Sequence, residues 1–187
     1  MYGLVNRAFE QMIIKKYGAE KWKKIKHRAN VEVEVFISNV SYPDETTYKL
    51  VGTASEILKV EIKELLYEFG QYWVLHTGTD SYGDLLKSAG KTLKEFLVNL
   101  QDFHSRVQLY YPDLSPPTFF VENVNETSLD LHYTSHRHGL TDFVLGLIDG
   151  LGKLYNTAIT VEILSSSEQE MTHDIFHITL NVDERQA

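Results

Sequence analysis

Leu129-Asp-Leu-His-Tyr-Thr-Ser-His-Arg137 is the stretch on which the fold turns. Leu129, Leu131 and Tyr133 alternate with Asp130, His132 and Thr134, the period of two that a half-buried β-strand requires. Thr118–Val121, just after Pro116-Pro117, alternates in the same way. So do Ile159–Leu164 and Ile175–Val182, the latter through Phe176, Ile178, Leu180 and Val182. Between the two pairs of strands, Leu140–Tyr155 reverts to a helical pattern.

Upstream the period is helical throughout. Leu4, Val5, Ala8 and Met12 open an amphipathic helix, and a second runs from about Ala19 to Ala29. Thr53–Glu56 has the spacing of a capping box and predicts a longer helix reaching Trp73. A short helix around Tyr82–Ala89 closes at Gly90. The strongest helical pattern runs from about Thr92 to Tyr110 and is stopped by Pro112. Its buried stripe is Leu93, Phe96, Leu97, Leu100, Phe103 and Val107. The fold class is therefore α+β: a mostly helical N-terminal half packed on a C-terminal antiparallel sheet with one long helix inserted.

The chain has 187 residues, no repeats and no low-complexity linker, so a single domain over 1–187 is the expectation. Apolar residues make up 43% and aromatic residues 12%, enough rings to wall a flat apolar ligand. Asp and Glu outnumber Lys and Arg by 26 to 18, which argues against a nucleic-acid partner. There is no cysteine, which removes disulfides, iron–sulfur clusters and thiolate-ligated haem. Charges interrupt the apolar pattern of the first sixteen residues, so neither a signal peptide nor a membrane span is read and a cytoplasmic location is expected.

Two features carry chemistry. His104 falls four residues after Leu100 and seven after Leu97, on the apolar side of its helix. Extending the strand by its period of two sets Ser135 and Arg137 on the face of Tyr133. Two hydroxyls and a guanidinium would then leave an apolar wall together, and an anion should meet the guanidinium. A carboxylate matches its fork with two parallel hydrogen bonds. Each feature has a plainer reading: Arg137 as the partner of one of the chain's own acids, and His104 as a packed core histidine. A flat apolar ligand carrying a metal and two carboxylates would use both. His136, His138, His173 and His177, without cysteine beside them, are read as solvated side chains and not as a zinc site.

These residues give the chain its resemblance. It is similar to the H-NOX family, the haem nitric oxide/oxygen-binding domain shared by bacterial sensors and soluble guanylate cyclase. The opening Met1-Tyr-Gly-Leu-Val-Asn6, His104 within Asn99-Leu-Gln-Asp-Phe-His104, Ser115-Pro-Pro117, and Tyr133-x-Ser135-x-Arg137 all match in order and spacing. So do Gly139-Leu140 and Leu145-Gly-Leu-Ile148.

The resemblance implies haem b (iron protoporphyrin IX) buried between the halves, ligated by His104 alone, with Tyr133, Ser135 and Arg137 on its propionates. Pro117 would press on the porphyrin, and Val5, Phe9, Trp73, Phe143 and Leu147 would wall the gas side. Phe143 and Trp73 stand where oxygen-binding members offer a tyrosine and an amide. The implied ligands are therefore nitric oxide and carbon monoxide, with oxygen excluded. Nitric oxide would weaken the bond to His104, free its helix and flatten the haem against Pro117. The signal would pass to a separate partner, a histidine kinase or cyclic-di-GMP enzyme, and no catalysis is expected. The rival readings are a module for an apolar carboxylate without haem, and a haem enzyme, which would need a distal acid–base residue that the sequence does not offer.

Overall fold

The computed structural model describes residues 1–109, 115–168 and 170–181. Two helices open the chain, α1 (Gly3–Tyr17) and α2 (Ala19–Arg28), followed by α3 (Asp44–Leu58) and α4 (Ile62–Tyr72). Helix α4 runs on through a π-helical turn, Trp73–Gly78, into α5 (Thr79–Ala89). Then come α6 (Leu93–Val98), α7 (Leu100–Gln108), β1 (Thr118–Glu122), β2 (Ser128–Ser135), α8 (Thr141–Leu154), β3 (Ala158–Glu168) and β4 (Thr172–Asn181). Among the described residues the strands form one antiparallel sheet in the order β1-β2-β4-β3. The α+β reading holds, with the helices first and α8 inserted between strands.

Local signals explain most boundaries, and they correct some. Thr53–Glu56 does not start a helix: it lies inside α3, which begins nine residues earlier with Asp44 and Glu45 favouring its N-terminus. Lys59 then takes the left-handed conformation at φ 61°, and the Ser55 hydroxyl donates to the Val60 carbonyl, separating α3 from α4. The expected helix from Thr92 is two helices. Thr92 caps the first through Glu95 N–H, but Asn99 breaks it at φ −94°, ψ 8°. The Asn99 amide donates to the Ala89 carbonyl at 2.7 Å, the local competition that makes asparagine a poor helix-interior residue. The Tyr82 start is also late: α5 begins at Thr79 and kinks at Tyr82. The expected ends at Tyr110–Pro112 and Val182 lie outside the described residues.

Two apolar cores result. One gathers Phe9, Met12, Ile13, Trp22, Leu50, Leu65 and Phe69 from α1–α4. The other gathers Leu97, Leu100, Phe119, Leu131, Tyr133, Ile148 and Phe176 between the sheet and α5–α8. Trp73 packs against both. The halves also meet where α4 crosses α8. A Cβ on Gly70 would run into the Phe143 carbonyl oxygen, and one on Gly146 into that of Tyr67. Only glycine lets the two backbones approach so closely.

Candidate functional site

His104 is placed by the break at Asn99, which restarts the helix at Leu100 and turns the imidazole toward β1. The ring stacks nearly parallel on Phe119, centroids 5.3 Å apart and planes at 12°. The Gln101 side chain accepts from the Phe119 backbone N–H at 3.0 Å and so ties α7 to β1, just after the half-buried Pro117. His104 Nδ1 lies 3.1 Å from the Leu100 carbonyl. That oxygen can only accept, so the ring hydrogen sits on Nδ1 and the Nε2 lone pair is left free. Burial pushes the His104 pKa down to about 4, only partly opposed by the Leu100 hydrogen bond. The imidazole is neutral at pH 7, the form a transition metal binds.

Tyr133 and Ser135 share the inner face of β2 and are both buried. Burial raises the Tyr133 pKa, partly offset by a hydrogen bond with the Ser135 hydroxyl. The strand ends at Ser135, so Arg137 reaches the site by a turn and not by the strand's period: the Ser135 hydroxyl accepts the Arg137 backbone N–H at 3.0 Å. Thr172 donates to the Arg137 carbonyl at 3.1 Å and fixes the turn to β4. The guanidinium is half-buried. Its Nε donates to Asp44 Oδ2 and one terminal nitrogen to the Ser115 carbonyl, each at 2.8 Å. The plainer reading of Arg137 is thus realised here, since an acid of α3 holds it.

Asp44 also receives the Met1 ammonium. Burial alone would raise its pKa, but the ammonium and the Arg137 guanidinium outweigh that and hold the carboxyl below its usual range. An incoming carboxylate would therefore find the clamp assembled, with Asp44 as its competitor for Arg137.

The residues expected on the gas side meet around Phe69, which the sequence reading missed. Its ring lies 5.2 Å from Phe9, 6.3 Å from Trp73 and 5.1 Å from Phe143. Leu147, from α8, packs into the other core. Val5 and Phe143 also line an apolar cleft of about 380 Å³ with Val51, Leu66 and Phe69, but neither His104 nor Tyr133 borders it. Asp44, Gln101 and Phe119 were likewise missed; their partners lie far off in sequence, and no spacing signals them.

The outer face of the sheet carries a separate polar group. His132 Nδ1 stands 3.3 Å from His173 Nε2, and His177 meets Asp130 at 2.6 Å. Of the histidines expected to be solvated, His173 and His177 are thus engaged with neighbours, and His138 Nδ1 lies 3.2 Å from the Thr172 hydroxyl. Among the described residues no cluster of three histidines or acids is placed to hold a metal ion.

The donor set fits haem: a neutral imidazole with a free Nε2, aromatic walls and a carboxylate clamp at one edge. Comparison with known proteins agrees. The family model described as haem-NO-binding matches residues 2–163. Soluble guanylate cyclase gcy-31 of Caenorhabditis elegans is 26% identical over 183 residues, 97% of this chain and 26% of that protein. The rat guanylate cyclase soluble subunit beta-2 is 33% identical over 109 residues, 58% of this chain and 16% of its own. The chain thus spans about a quarter or less of these relatives. The crystal structure of the Fe(II) unliganded H-NOX protein from K. algicida superposes with a TM-score of 0.88 at 27% identity, covering 98% of each chain. An H-NOX protein from S. oneidensis in the Fe(II) state shares the fold at TM-score 0.89 and 20% identity.

Proposed function

The chain belongs to the haem-NO-binding family, and from that premise we propose that it senses nitric oxide and carbon monoxide through ferrous haem b, excludes oxygen, and signals to a separate partner by release of His104. The observation that carries this reading is the neutral His104 imidazole, its Nε2 free, in a chain that brings Tyr133, Ser135 and Arg137 together at one strand end. Bound in this way, haem supplies an open coordination position for a diatomic gas.

The residues divide the remaining work. His104 is the metal ligand and Leu100 orients its ring. Tyr133 and Ser135 offer hydroxyls to the propionates, and Arg137 exchanges Asp44 for one of them. Pro117, beside Phe119, would meet the porphyrin face. Val5, Phe9, Trp73, Phe143 and Leu147 form a wall without the tyrosine hydroxyl that would hold oxygen. Such a donor is worth about 1–3 kcal/mol to a ligand with superoxide character and much less to the other two gases.

Release of His104 is mechanical: among the described residues α7 fully buries only Leu100, and it meets β1 through the Gln101 side chain and the His104–Phe119 stack. A helix so lightly held can shift when its one bond to the site is cut, carrying the change to a partner. A histidine kinase or a cyclic-di-GMP enzyme is the expected recipient, with residues 1–187 acting as one non-catalytic cytoplasmic domain. Among the described residues no helix is long and apolar enough to cross a membrane.

The test is an absorption spectrum of the reduced protein before and after nitric oxide. A five-coordinate histidine-ligated band that becomes a five-coordinate nitrosyl band supports the reading. A nitrosyl complex that keeps the His104 bond refutes the signalling step. A lasting oxy spectrum in air refutes the selectivity. A colourless protein that takes up no added haemin leaves the module for an apolar carboxylate.

A further inference from the structure

Thr77 lies in the π-helical turn and is 7% exposed, yet its hydroxyl has no hydrogen-bond partner. A sealed hydroxyl of this kind is costly and asks for an explanation. The ordinary remedy for a helical threonine is to donate to a carbonyl one turn back. Thr79, two residues on, does so: its hydroxyl is 3.0 Å from both the Leu75 and His76 carbonyls. Thr77 does not.

Helical spacing points to the direction it faces. Gly70 and Val74 turn toward α8, Val74 meeting the backbone at Gly150. The Tyr72 and His76 rings meet at a tilt of 55°, centroids 4.5 Å apart, on the outer side, where Lys15 reaches both. Gln71 also turns to α8, where it donates to Asp149. Thr77 falls by spacing in the row Phe69, Trp73, Thr77. Phe69 touches Phe9 and Phe143, and Trp73 bridges the two cores, so the first two members of this row border the seam in which the ligand would lie. π-Helical turns recur at functional sites because the extra residue re-aims side chains without ending the helix.

We propose that Thr77 is a specificity-determining residue of the gas-side wall, whose hydroxyl donates a hydrogen bond to a diatomic ligand bound opposite His104. This rests on the haem-sensor reading above and refines it: the wall carries one polar point, one turn beyond Trp73. A single hydroxyl lacks the supporting groups that hold oxygen firmly. It still polarises a bound gas and slows its departure.

Carbon monoxide is the probe, and the carbon–oxygen stretch of the ferrous carbonyl complex is the readout. Thr77→Val, nearly the same shape, is expected to move the stretch to higher wavenumber and to speed carbon monoxide dissociation several-fold, while Thr77→Ser restores both. In wild type the stretch should shift between H2O and D2O, which needs no variant. A stretch that is identical in Thr77→Val, with no isotope shift in wild type, overturns the assignment. In haem-free protein Thr77→Val should unfold at the same or higher temperature, since it removes an unpaired group; a large fall would mean the hydroxyl serves the fold and overturns the proposal. Failure of the underlying reading looks different: no haem uptake, and no carbonyl band at all.

Discussion

Gly146→Ala tests the contact on which the two halves are joined. Its new methyl would stand 2.8 Å from the Tyr67 carbonyl carbon and 3.0 Å from Tyr67 Cα, and nearer still to the oxygen. Carbon atoms rest at about 3.5–4.0 Å, so α4 and α8 must part by roughly 1 Å. Overpacking costs about 1–3 kcal/mol, and backbone on both sides puts this site near 3. Alanine returns about 1 kcal/mol of helix propensity, leaving a net loss of about 2. For a domain of this size each kcal/mol moves Tm by about 2–4 °C, so Tm should fall by about 4–8 °C. Gly52→Ala is the internal control. Gly52 sits in α3 with nothing within 4 Å of an added Cβ. That change should raise Tm by about 2–4 °C. Thermal melts of the haem-free proteins decide the matter. If Gly146→Ala melts with wild type, or if both substitutions shift Tm the same way, the backbone-to-backbone crossing is not there.

Asp44→Asn should lower haem-free stability by no more than about 1 kcal/mol, because the Arg137 pair is partly solvated, yet slow the loss of haem by freeing Arg137 for a propionate. Since the folded pKa of Asp44 is depressed, wild type's advantage is present above about pH 4 and vanishes as pH falls through the folded value; urea titrations of both proteins should converge in acid. His104 in haem-free protein should titrate near 4 by NMR, against about 6.5 for a free imidazole. Its folded pKa is lowered, so its contribution is present above about pH 6.5 and is lost as pH falls toward 4; a ring titrating at 6.5 would refute its burial. Phe143→Tyr should introduce measurable oxygen affinity in the ferrous protein, worth about 1–3 kcal/mol if the hydroxyl reaches the ligand. An unchanged aerobic spectrum would mean Phe143 is turned away from it.

The strands were legible because period-two alternation depends only on which face is buried, and Phe176, Ile178 and Leu180 are buried as their spacing requires. His104 and the Tyr133–Ser135 pair were legible for the same reason, as polar groups out of place in an apolar row. What the sequence hid were choices made by tertiary contact. Asn99 reads as an ordinary residue of a long helix until its amide finds the Ala89 carbonyl. The Asp44–Arg137 pair spans 93 positions, and nothing near either residue announces the other. The Thr53–Glu56 capping pattern was outweighed because Leu50, Val51 and Ala54 are buried in one helix. Phe69 stands out in no sequence pattern, and only its ring neighbours show that it lies among Phe9, Trp73 and Phe143.

The division into two cores has a consequence for how the chain is made. The fully buried members of the first come from residues 8–69 and those of the second from residues 74–180, with Leu140 and Phe143 added to the first only later. Contacts close in sequence form soonest, and domains synthesised from the N-terminus organise in that order. The helical unit can therefore settle while the sheet is still being made. The sheet core must wait for β4, whose Phe176, Ile178 and Leu180 complete it. Pulse-labelled hydrogen exchange during refolding should protect amides of α1 and α4 before those of β2 and β4. The seam at Trp73 is then the last surface to close, and a planar guest has until that moment to enter from the side without prising apart a finished protein.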